Sequence, residues 1–184
     1  MRLIAGLGNP GSRYARTLHN AGFLAVDRLA ERLGAREAGT HGGADWARGA
    51  FAGAAVTLIK PVEYMNRSGE AVRRAMGRLG LGPERVLVIH DDIDIAAGQA
   101  RYKVGGGHAG HNGVRSIIES LGAAGFHRIR VGVGRPPEGM DAADYVLSAM
   151  RPEAREALNA ALDAAVELAL SRFMGQAPAG EERR

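Results

Sequence analysis

The chain contains no cysteine. That excludes disulfides, thiolate nucleophiles, zinc–thiolate sites and iron–sulfur clusters, and nothing calls for an oxidising compartment. No stretch approaches the roughly 18 consecutive apolar residues of a membrane span, and the opening MRLIAGLGNPG has too short an apolar run for a signal peptide. A cytoplasmic location is the simplest expectation. The G-x-S-x-G pattern of a nucleophile elbow is also missing; Ser12, Ser68, Ser116 and Ser120 read as helix caps or helix surface. Lysine is scarce: Lys60 and Lys103 are the only two among 24 basic residues. Arginine forks match phosphate and carboxylate oxygens and stack on bases. Coding bias produces the same composition, so a net charge of +4 makes nucleic acid a candidate partner and no more.

What is present suits a globular protein. Its 184 residues, 46% hydrophobic and 24% charged, can bury a core without cross-links. One domain is expected over residues 1–174, followed by a loose tail over 175–184. Strand-like and helix-like segments alternate. RLIAGL is a buried strand, and the residues from Phe23 to Leu33 recur at helical spacing after Asn20, which reads as a cap. Residues 35–50 are glycine-rich and poorly patterned. AAVTLIKP is a second core strand, and Ser68 to Leu79 a helix. RVLVIHDDID is the most strand-like stretch, its apolar half ending at His90. ARYKV, the glycine-rich loop GGGHAGHNG, the helix VRSIIESLG and the strand HRIRVGVG follow, then an amphipathic helix from Pro152 to Phe173. Such alternation implies one sheet between helices, with functional residues gathering where strands end.

The segment GLGNPG, Gly6 to Gly11, spells the G-x-G-x-x-G of a dinucleotide site. That site needs its third glycine inside a helix opening and an acidic residue ending the next strand. Here Pro10 and Gly11 prolong the loop, and Asp27 falls inside a helix pattern. The loop must serve another purpose. Asn9, Asn66 and Asn112 lie near strand ends or in the glycine-rich loop, with Asp91 ending the central strand and His19 just before the first helix. Each asparagine alone reads as a turn residue. Together the five describe a site that positions an amide-rich or ester substrate by neutral hydrogen bonds. His90, His108, His111, Asp91, Asp92 and Asp94 also raise a metal site, but DDID lacks the glycine and final glutamate of a calcium loop.

In this order, GLGNPG, YARTLHNAG, YMNRSG, HDDIDI, GGGHAGHNG, RIRVGVGRP and DYVLS resemble the motifs of bacterial-type peptidyl-tRNA hydrolase over nearly the whole chain. The resemblance implies a single monomeric α/β/α domain of three layers, with a twisted mixed β-sheet flanked by helices. It implies an enzyme without metal or cofactor that hydrolyses the ester between a peptide and the 3′ ribose of tRNA. His19 matches the family's general base and Asp91 the carboxylate that orients it. Substrate contacts are implied at Asn9, Tyr14, Tyr64, Met65, Asn66 and Asn112, and tRNA contacts at Lys103, Arg130 and His111, with Arg101 a helper. No membrane or obligate protein partner is implied. Leu18, Arg67 and the short segment 35–52 depart from the family pattern without removing any of these residues. The rival class is a non-enzymatic RNA-binding protein on the same fold.

Overall fold

The computed structural model describes residues 1–175. The expected tail over 175–184 therefore lies outside the described residues from Gln176 onward. Seven strands form one sheet in the order β2-β3-β4-β1-β5-β7-β6. They are β1 (Arg2–Gly6), β2 (Glu37–His41), β3 (Ala44–Phe51), β4 (Ala54–Pro61), β5 (Val86–Asp92), β6 (Ala100–Val104) and β7 (His127–Gly132). The central strands β4, β1, β5 and β7 run parallel, while β2, β3 and β6 are added antiparallel at the two edges. The sheet is mixed, as the resemblance implied.

Alternation along each strand divides the core between two faces. Ile4, Leu58, Leu87, Ile89, Ile129 and Val131 meet α1 (Ala21–Arg32) and a long C-terminal helix, Pro152–Leu168. Leu3, Ala5, Ile59, Val86 and Val88 meet α2 (Ser68–Leu79) and α3 (Asn112–Leu121). A short α4 (Ala142–Leu147) precedes the C-terminal helix, α5. Helices on both faces produce the three layers.

Two local features differ from the sequence reading. Residues 35–50, poorly patterned by composition, form the β2–β3 hairpin: at one end of the sheet they bury little, so their small residues carry no apolar alternation. The segment read as one helix from Pro152 to Phe173 is α5 followed by a π-helical turn, Ala169–Met174. Ser68–Leu79 is helical over the span that its periodicity predicts, ending at Gly80 in the left-handed conformation (φ 63°).

Gly6 of GLGNPG also finds its purpose. A Cβ on Gly6 would lie 2.1 Å from the carbonyl oxygen of Gly22, and one on Gly22 would lie 2.3 Å from the Leu7 nitrogen and the Ile89 oxygen. Helix α1 thus crosses the ends of β1 and β5 at backbone contact, with Leu7 N–H donating to Ile89 O (2.9 Å) and Phe23 N–H to Leu7 O (3.2 Å). The motif packs a helix onto strand ends, and this crossing sets where the residue before α1 must stand.

Candidate active site

That residue is His19, in a single 3-10 turn, Leu18–Asn20, at the head of α1. Chain direction carries β1 to β4 on one side and β5 on the other, so a crevice opens beyond their C-terminal ends. Asp91 lies there, one residue from the end of β5 and 4% exposed. His19 Nδ1 is 2.9 Å from Asp91 Oδ1. From the opposite layer, His111 Nε2 reaches the same oxygen at 3.0 Å. One carboxylate oxygen therefore holds two imidazoles whose ring centroids are 5.1 Å apart.

Protons in this triad follow from the acceptors around it. His111 is the N-cap of α3, and its Nδ1 accepts from the backbone N–H groups of Gly113 (3.1 Å) and Val114 (3.3 Å). Its proton must then sit on Nε2, which donates to Asp91. Burial alone would raise the Asp91 carboxyl pKa, but the adjoining His111 and the hydrogen bonds from His111 and His19 outweigh it, and the group is held well below the usual carboxylate range. An ionised Asp91 accepts only, so His19 presents Nδ1–H to it, with Nε2 on the far side of the ring. His90 lies beneath, its ring 4.8 Å from that of His111. Burial pushes the His90 pKa down to about 3, so this imidazole is neutral. The nitrogen and oxygen atoms of His19, Asp91 and His111 lie within 4.8 Å of one another, close enough to bracket a cation. The backbone lock on His111 Nδ1 makes Nε2 a proton donor here, and donors do not ligate metal.

The asparagines take unequal positions. Asn9 is buried, and its Oδ1 accepts the Met65 backbone N–H at 2.9 Å. Asn20 grips it from behind: Asn20 Oδ1 accepts the Asn9 N–H (2.8 Å) and Asn20 Nδ2 donates to Asn9 O (3.0 Å). The sequence reading took Asn20 for a helix cap, but its side chain makes no cap bond. With Oδ1 of Asn9 committed, its amide Nδ2 is left as a donor. Asn66 is exposed on the 3-10 turn Met65–Arg67. Asn112 opens α3 rather than sitting in the loop, and its Oδ1 accepts from the Arg115 guanidinium (2.9 Å).

These groups line a cleft of about 680 Å³, within the usual range for a small-ligand site. Asn9, His19, Tyr64, Met65, Asn66, Asp91, His111 and Asn112 all contribute to it. Its far wall is α4 with Ile93, Val146 and Leu147. The sequence reading missed α4 as an element, since six residues are too few to show a helical period. Tyr64, 65% exposed, and Leu147, 39% exposed, leave apolar surface at the rim. Tyr14 is elsewhere: it is half-buried in the loop before His19, with the Arg13 guanidinium over its ring at 5.6 Å. A second hollow of about 380 Å³, between β2–β4 and α2, includes Trp46, Arg48 and Arg78 but no carboxylate.

Lys103 and Arg130 do not line the cleft but adjoin it. In the β6–β7 register Arg101 faces Arg130 and Lys103 faces Arg128, so all four cations share the sheet face that carries α3. Arg130 Nε donates to Asp92 Oδ2 (2.7 Å), and Asp92 belongs to the cleft. His111 points to Asp91 instead of toward this basic face. Arg128 shares a face with Arg130 as alternation predicts, yet it is buried rather than at a solvated edge.

Residues 3–179 match the family model described as Peptidyl-tRNA hydrolase. The chain is 47% identical over 177 residues to the peptidyl-tRNA hydrolase of Sorangium cellulosum, covering 92% of this chain and 77% of that one. It is 50% identical over 167 residues to the peptidyl-tRNA hydrolase of a Mycobacterium species, covering 88% and 87%. The crystal structure of peptidyl-tRNA hydrolase from Acinetobacter baumannii superposes with a TM-score of 0.88 at 38% identity, covering 97% of this chain and 91% of that one.

Proposed function

Because this chain belongs to the peptidyl-tRNA hydrolase family, we propose that its cleft hydrolyses the ester joining a peptide to the 3′ end of tRNA, with His19 as general base. The observation that carries the proposal is the His19 Nδ1 to Asp91 Oδ1 hydrogen bond of 2.9 Å inside a cleft lined by three carboxamides.

Asp91 fixes the His19 tautomer. Nε2 then removes a proton from water as its oxygen attacks the ester carbonyl, and Asp91 stabilises the imidazolium that results. The tetrahedral intermediate places negative charge on the former carbonyl oxygen. Asn9 is assigned to that charge, since its amide is held by Met65 and Asn20 before substrate arrives, and a preorganised donor of this kind contributes about 10²–10³ in rate. Collapse of the intermediate releases the ribose oxygen, which takes the proton back from His19. Asn66 and Asn112 on the rims bind peptide backbone or the terminal nucleoside, and Tyr64 and Met65 give an apolar wall that requires no particular peptide sequence. Lys103 and Arg130 hold tRNA phosphates beside the cleft.

Purified protein treated with chelator should hydrolyse N-blocked aminoacyl-tRNA, and His19→Ala should lose about 10²–10⁴ in kcat. Full activity in His19→Ala would reject the mechanism. Binding of tRNA without hydrolysis by the wild type would favour the non-enzymatic alternative.

A further inference from the structure

Among the described residues Arg128 is the largest side chain that is almost fully buried, at 2% exposure. Burying a guanidinium is costly unless its donors are satisfied, and the usual partner is a carboxylate. Among the described residues no carboxylate lies in salt-bridge range of Arg128. The like-charged Arg130 adds to burial in lowering its pKa. Instead, Nη1 donates to Gly107 O (2.6 Å) and Nη2 to Gly106 O. The guanidinium lies 4.6 Å over the Phe126 ring, which fixes its plane.

The two carbonyls open the loop between β6 and α3. Its first residue is tied to the residue preceding β7 by Gly105 N–H donating to Phe126 O (3.0 Å). Its far end is tied by His111 to Asp91 (3.0 Å), with His111 N–H donating to His108 O (2.9 Å). Between these anchors the loop supplies His108, Ala109 and Gly110 to the cleft. Glycines give this segment little intrinsic stiffness. The fork of Arg128, holding two consecutive peptide oxygens from inside the sheet, supplies what the backbone lacks. Lys103, on the strand paired with Arg128, lies against the same loop, since a Cβ on Gly106 would meet its Nζ at 2.7 Å.

We propose that Arg128 is a positioning residue: it clamps the Gly106–Gly107 backbone and thereby fixes where the loop delivers His111 and Asn112 to the Asp91 site. It acts through the loop, touching neither substrate nor phosphate. The effect on turnover rests on the function proposed above; the clamp itself does not.

Two variants of the full chain test this. Arg128→Met keeps an apolar stem over Phe126 and loses both donors, while Arg128→Lys keeps the charge but not the fork. Amide hydrogen exchange is read without substrate. In Arg128→Met, exchange over residues 105–111 should quicken by roughly tenfold or more while Val86–Asp92 stays protected, as local opening does. With N-blocked aminoacyl-tRNA, kcat should fall on the order of 10- to 100-fold, with a smaller change in KM and an unchanged salt slope of tRNA binding. Arg128→Lys should recover part of both. Unchanged loop exchange, or a reduced salt slope with kcat intact, would overturn the clamp, the latter marking a phosphate contact. Protection lost equally across the sheet would also overturn it, reducing Arg128 to a core strut. If Arg128→Met does not fold, Arg128→Lys decides alone by the same loop-against-β5 comparison. If no form hydrolyses the ester, the functional reading falls and the exchange data still judge the clamp.

Discussion

Asn20 holds Asn9 by both backbone polar groups, accepting its N–H at 2.8 Å and donating to its carbonyl at 3.0 Å. The first loop after β1 is thus tied to the residue that follows the proposed base, and the donor and the base move as one unit. Asn20→Ala should leave these buried groups unpaired at a cost of about 1–3 kcal/mol. It should also lower kcat roughly tenfold through a displaced Asn9. Denaturant melts and steady-state kinetics measure the two. Unchanged kcat in a folded variant would mean that Asn9 does not need this grip.

The buried polar groups of β5 make stability depend on pH in a definite direction. His90 has its pKa pushed down to about 3 in the folded chain, against about 6.5 unfolded. Between those values the unfolded chain binds a proton that the folded one refuses, so stability falls as pH drops from about 6.5 toward 3. Asp91 is also depressed: its contribution is complete above its unfolded value of about 3.9 and is lost as pH falls through and below that point. Urea melts across pH 7 to 4 should slope with acid, and His90→Gln should flatten that slope. A slope identical to the wild type would show that His90 titrates normally.

Gly22 cannot accept a side chain. An added Cβ would meet three backbone atoms of Leu7 and Ile89 at 2.3–2.5 Å, and backbone cannot yield as a flexible side chain does. Gly22→Ala should cost at the upper end of overpacking, about 3 kcal/mol or more, and should displace His19 from Asp91. Thermal melting tests the first effect, and the chemical shifts of the His19 ring test the second. A variant of wild-type stability would contradict the close crossing of α1 over β1 and β5.

Lys103 and Arg130 should contribute to tRNA affinity through charge. Log affinity should fall with log salt by roughly 0.7 to 0.9 per phosphate neutralised, and replacing either residue by alanine should lower that slope by about one phosphate. Arg130→Ala also releases Asp92 from its 2.7 Å bond, so Lys103→Ala is the cleaner of the two. If both leave the slope unchanged, the tRNA lies on another face.

The central strands were legible because burial on both sides demands runs such as VLVIH, and the helix Ser68–Leu79 was read with its observed bounds. The edge hairpin 37–51 was not: edge strands bury little, so their composition carries no pattern. His19 and Asp91 were found as types at strand and helix boundaries. The grip of Asn20, read as a cap, on Asn9 and the bond of His111 to Asp91 were not legible, for one shared reason. A side chain that bonds across 11 or 20 residues leaves no trace in local spacing.

By itself the sequence determined the central strands, the longer helices and the chemical inventory: an imidazole, a carboxylate and carboxamides in a chain without thiols. These follow from local periodicity and from which side chains exist. The tertiary structure alone decided that one Asp91 oxygen serves two histidines, that Asn9 is locked while Asn112 is engaged by Arg115, and that Arg128 faces inward to the loop. Each of these depends on distances between segments far apart in the chain, which only the packing of helices against a common sheet can set.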